Sequence, residues 1–178
     1  MDANEASPGS QARSGEARFP GLAGRWQAES LRLARSGRGV FLFLVRAGAF
    51  AGLLHELARE ASPCDLAEAA DGAAGMLMPD LEPLEAERRA LALHARLTAL
   101  AGAPVTAAYG LIRRGPDQPL RGESAEGSAL AGFFAKVLNV LDEGPQDGRL
   151  HRVREEAARD LGARVLAEEK RFLLFGAK

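Results

Sequence analysis

The side chains able to do acid–base, metal or nucleophilic chemistry are few in this chain of 178 residues, and they stand far apart. Histidine occurs at His55, His94 and His151, and Cys64 is the single cysteine. No second ligand at helical spacing from any of them forms a known motif, and neither a CxxC pair nor an HExxH segment is present, so neither a metal nor a cofactor is expected. Phosphate cradles fail as well. Gly37-Arg38-Gly39-Val40-Phe41-Leu42 has leucine where a dinucleotide fingerprint needs its last glycine, and it follows a helical stretch instead of a strand. Gly122-Glu123-Ser124-Ala125-Glu126-Gly127 places its second glycine one position too late for a nucleophile elbow. The chemistry-bearing residues therefore point away from an enzyme.

Charged pairs offer binding chemistry instead. Arg88-Arg89 stands among Glu82, Glu85 and Glu87, the pattern of a solvated helix face with pairs three and four residues apart. Arg113-Arg114 is less neutralised and reads as a surface loop. Leu54-His55-Glu56-Leu57 would suit a phospho-accepting histidine, but Ala58-Arg59-Glu60 does not continue that pattern.

Lys plus Arg number 23 against 24 Asp plus Glu, a formal charge of −1, which argues against a dedicated nucleic-acid binder. At 47% hydrophobic and 26% charged the composition is that of a globular domain. One cysteine excludes an internal disulfide framework and suits a cytoplasmic location. The longest apolar stretch, Gly39 to Leu54, is interrupted by Arg46 and falls short of the roughly 20 residues of a membrane span. Residues 1–18 lack a core-forming pattern and read as a disordered tail, leaving 19–178 as one domain.

The elements that must position these residues read as helices. Valine, isoleucine and threonine together occur only ten times, too few for a large sheet, while Ala, Leu, Glu and Arg dominate. The fold class expected is all-α, a single helical bundle of about six helices. They are placed over about 22–36, 40–61, 64–78, 83–100, 128–141 and 149–175. The run Val40 to Val45 could alternatively be a short buried strand, because periodicity does not separate the two readings. Tyr109 to Glu126, rich in glycine and proline, reads as a loop, and Asp142 to Gly148 (DEGPQDG) as a hinge-like break. In the last helix Leu150, Val153, Ala157, Leu161, Val165 and Phe172 form one apolar stripe.

Three segments occur in a suggestive order. The Leu-rich stretch Val40 to Ala61 comes first. Ala95-Arg96-Leu97 then leads through Gly102 and Pro104 to Pro119-Leu120-Arg121-Gly122-Glu123-Ser124. Last, Glu143, Pro145, Asp147 and His151 follow one another without being adjacent. This order resembles the redox-enzyme maturation chaperones of the TorD/DmsD/NarJ type, over about residues 40–175. Thr98 stands where that family often has phenylalanine. The resemblance implies an all-α, non-enzymatic assembly factor in the cytoplasm. It would bind the signal peptide or apo-subunit of a partner oxidoreductase in a groove between the fifth and last helices. Asp142, Glu143, Asp147 and Glu123 are the acids that would meet the peptide's arginines, with His151 beside them and Pro145 fixing the bend. A small helical scaffold or regulatory interaction module without chaperone activity is the alternative.

Overall fold

The computed structural model describes residues 18–33, 38–46, 52–70, 72–113 and 123–154. Its elements are α1 (Pro20–Leu33), β1 (Gly39–Arg46), α2 (Leu53–Glu60), β2 (Leu66–Ala70), β3 (Ala73–Leu81), α3 (Pro83–Ala101), β4 (Thr106–Arg113), α4 (Glu123–Glu143) and β5 (Leu150–Val153). The described residues thus form an α/β fold, and the all-α bundle expected from composition is corrected.

Five strands form one sheet in the order β2-β3-β1-β4-β5. β1 lies between β3 and β4 and is antiparallel to both, whereas β5 runs parallel to β4. From β1 to β4 the chain follows the split βαβ pattern of ferredoxin-like folds. α1 precedes that core, and the α4–β5 unit extends it. A helix between β4 and β5 is what a parallel neighbour requires.

β1 shows why the sheet forms. Val40, Leu42 and Leu44 pack with α1 and α4, around Trp26, Phe133 and Phe134. Phe41, Phe43 and Val45 pack on the other face with Leu53 and Leu57 of α2 and Ala86, Ala90, Leu93 and Leu97 of α3. A strand buried on both faces reads as a continuous apolar run without alternation. The expected second helix is therefore a strand in its first half and a helix only over Leu53–Glu60. The expected third helix is the β2–β3 hairpin, in which Ala70 pairs with Ala73 and Gly72 takes φ 73°. A two-residue turn of this kind needs positive φ, which glycine supplies. Tyr109, expected in a loop, lies within β4, and the expected last helix begins as β5. Residues 155–178, the remainder of that helix, lie outside the described residues, as do 1–17 of the tail. Helices over 22–36, 83–100 and 128–141 agree with α1, α3 and α4 in position.

One contact ties the edge strand to α1. The Glu68 carboxylate on β2 accepts hydrogen bonds from the backbone N–H groups of Leu22 (2.7 Å) and Gly21 (3.3 Å). These donors have no partner within the helix, and the negative charge suits the helix N-terminus. Glu68→Ala is expected to lower stability by about 1–2 kcal/mol in denaturant unfolding. An unchanged midpoint would show that the cap contributes nothing.

Candidate functional site

The corner joining α4 to β5 holds most of the acids singled out in the sequence. Asp142, at the end of α4, accepts two hydrogen bonds from Arg18 Nη1 (2.8 and 2.7 Å) and faces Arg46 at 3.4 Å. Asp147 accepts hydrogen bonds from the Arg149 backbone N–H and the His151 ring, both at 3.0 Å. Partial desolvation works against its charge. The hydrogen bonds from His151 and Arg149, with the two neighbouring positive charges, outweigh that and hold the carboxyl below its ordinary value. Gln146 donates to the Leu141 carbonyl, and the Gly148 N–H donates to Thr106 Oγ1. The Ala107 N–H donates to the Arg149 carbonyl, which fastens the corner to β4. Glu143 and Pro145 are exposed on it. Glu123 opens α4 at its other end, and its side chain lies outside the described residues. Asp142, Asp147 and His151 thus meet partners within their own chain. Since β5 follows the corner, no last helix stands beside α4 within the described residues to close a groove.

The histidines are engaged separately. The His94 ring hydrogen-bonds the Val105 carbonyl at 2.8 Å, pinning α3 to the start of β4, and His151 serves Asp147. His55 is exposed on α2. Among the described residues no group of three or more His, Cys, Asp or Glu could hold a metal ion. Nor is any helix among them long and apolar enough to cross a membrane.

A different surface carries binding chemistry. Helix α3 is set by Pro83 at its first turn and by Gly102, with φ 62°, just past its end. Its inner stripe, Ala86, Ala90, Leu93 and Leu97, faces the sheet. On the opposite side Leu84 is 61% exposed and Leu91 56%. Ala92, Ala95 and Ala99 are exposed with them. Leu84 and Leu91 are seven residues apart, two turns along one face.

The charges around this stripe are unequally used. Arg96 pairs with Glu60 and, at 3.6 Å, with Glu56 of α2. Arg89 donates to the Glu60 carbonyl. Arg152 of β5 reaches Glu87 at 3.4 Å. Arg88, between the two leucines, has no hydrogen-bond or ion-pair partner among the described residues. The outer face of α3 therefore offers leucine, a guanidinium without a partner among the described residues, leucine and alanine along one line.

The sequence reading misses this line because Arg88-Arg89 reads there as part of a charged, solvated helix face. A helical wheel of Pro83 to Ala101 would have found it. Ala86, Ala90, Leu93 and Leu97 already supply a complete core stripe, leaving Leu84 and Leu91 surplus on the far side. No family model and no curated protein matches the chain.

Proposed function

We propose that the chain is a non-catalytic, cytoplasmic interaction module whose docking face is the outer side of α3. Its occupant is an amphipathic helix with a carboxylate between two apolar residues. The observation that carries this reading is the pair Leu84 and Leu91, 61% and 56% exposed in register, with Arg88, which has no partner among the described residues, between them. Single exposed leucines are ordinary on protein surfaces. Two on one stripe with alanines beside them form a seam into which a helix can lay its apolar face. The exposed Arg88 guanidinium favours carboxylate over ammonium on the incoming helix.

The maturation-chaperone reading shares the idea of an apolar surface with charge at its side. Its groove was framed by an all-α bundle, and the sheet withdraws that support. The interaction-module alternative needs no such frame.

The test uses two synthetic amphipathic helical peptides with leucines seven residues apart, one carrying glutamate between them and the other lysine. In calorimetric titration the glutamate peptide is expected to bind about tenfold more tightly, with salt reducing the difference. Leu84→Gln together with Leu91→Gln is expected to abolish peptide binding while circular dichroism shows the fold retained, because neither side chain belongs to the core. Equal binding of the two peptides, or binding indifferent to the leucine substitutions, would overturn the reading.

A further inference from the structure

We propose that the segment received by α3 is residues 157–172 of a second copy of this chain, the two copies exchanging these segments reciprocally. This inference rests on the docking-face reading and names the partner of that same site.

The intervals of the sequence carry it. Along the outer side of α3 the positions Leu84, Arg88, Leu91, Ala95 and Ala99 are separated by four, three, four and four residues. Read backwards from Phe172, the positions Glu168, Val165, Leu161 and Ala157 follow at the same four intervals. Laid antiparallel, Leu84 meets Phe172, Arg88 meets Glu168, Leu91 meets Val165, Ala95 meets Leu161 and Ala99 meets Ala157. Apolar positions face apolar ones, and the larger Leu161 sits over the small Ala95. The cation lacking a partner among the described residues faces a carboxylate. On the flanks the same register sets Glu85 against Arg171 and Arg96 against Asp160. Its one like-charge juxtaposition, Glu87 with Glu169, falls where Arg152 already pairs with Glu87. A parallel arrangement loses these matches, since Leu161 then falls on Arg88 and Glu168 on Ala95.

The fold decides between the chain's own segment and a second copy's. α3 ends just before β4, and Arg113 at the far end of β4 reaches back to Glu82 beside the start of α3. β5 runs parallel to β4, so the chain leaves β5 heading toward the start of α3, where Arg152 meets Glu87. The antiparallel register needs Ala157 at Ala99, near the opposite end. From Glu87 to Ala99 is about 18 Å of helix. The five residues from Arg152 to Ala157 span at most about 18 Å fully extended. They would also have to reverse direction within that length. The segment therefore reaches the α3 of a partner, and a two-fold axis makes the exchange mutual.

Sedimentation of the full chain over a concentration series tests this, with Arg88→Glu, Glu168→Arg and the double variant beside the wild type. The wild type is expected to be a dimer that dissociates on dilution. Each single substitution is expected to raise the dissociation constant about tenfold or more, and the double variant to return it to within about threefold of wild type. Circular dichroism melts check that each variant is folded. A wild-type monomer at every concentration would overturn the exchange, as would a dimer indifferent to Arg88→Glu or a double variant no better than the singles. If a monomeric protein still prefers the glutamate peptide, only the exchange falls. If it prefers neither peptide, the docking face falls with it.

Discussion

Trp26→Ala is expected to destabilise the domain by about 3–5 kcal/mol, the range for truncating a buried large aromatic. Trp26 on α1 is fully buried. Its indole N–H donates to the Leu130 carbonyl at 2.9 Å, inside the first turns of α4. Its ring stacks on Phe133 with centroids 5.8 Å apart and lies tilted against Phe134 at 6.3 Å. The substitution removes the main packing body between α1 and α4 and leaves an acceptor and two rings facing a void. Since a domain holds about 5–15 kcal/mol in total, much of the native margin would go. Denaturant unfolding reads the loss as a lower midpoint at unchanged slope. A loss below about 1 kcal/mol would show that α1 and α4 do not depend on this contact.

Gly110→Val carries the second large effect, and its sign is the point of interest. Valine is the better strand former, so intrinsic preference alone forecasts a gain. The packing forecasts a loss. Gly110 in β4 is paired with Leu42 of β1 and Val153 of β5. A Cβ there would stand 2.7 Å from two atoms of the Phe133 ring and 3.0 Å from Val137 Cγ2. α4 lies directly on this position, and valine's two further methyls would lift it from the sheet. Overpacking of this kind costs about 1–3 kcal/mol. Phe133→Leu in the same chain is expected to recover part of the loss, because the neighbours are coupled. A stabilised Gly110→Val protein would mean that α4 sits farther from β4.

The glycines and alanines that make this close approach also explain what the sequence concealed. β-branched residues are rare here because the strands are lined with small ones. Ala73, Ala74 and Gly75 in β3, and Ala107, Ala108 and Gly110 in β4, let helices pack on both faces. Strand preference is a matter of fitting neighbours, and counting Val, Ile and Thr measures only part of it. β1 was open to either reading for a related reason, since burial on both faces erases alternation. Asp71-Gly72 between short alanine runs is the legible hairpin signal within the stretch expected to be the third helix.

The helices α1, α3 and α4 were legible because their apolar residues recur at helical spacing and because Pro83 and Gly102 mark the ends of α3. Of the acids around Pro145, the sequence showed their proximity but not their partners. Arg18 and Arg46 reach Asp142 from positions 124 and 96 residues away, a closeness that only the tertiary fold creates. The surplus leucines of α3 are within reach of a wheel; what the sequence does not show is that Arg89 and Arg96 are occupied while Arg88 has no partner among the described residues.

The most direct measurement of the docking face is methyl NMR of the full chain, with leucine and alanine methyls labelled, during titration with the glutamate peptide. Leu31 and Leu54, exposed on α1 and α2, serve as controls. The methyls of Leu84, Leu91 and Ala95 are expected to shift together and saturate at one stoichiometry, while Leu31 and Leu54 stay in place. Shifts confined to Leu31 or Leu54, or none at Leu84 and Leu91 at saturating peptide, would contradict the assignment of α3 as the docking face.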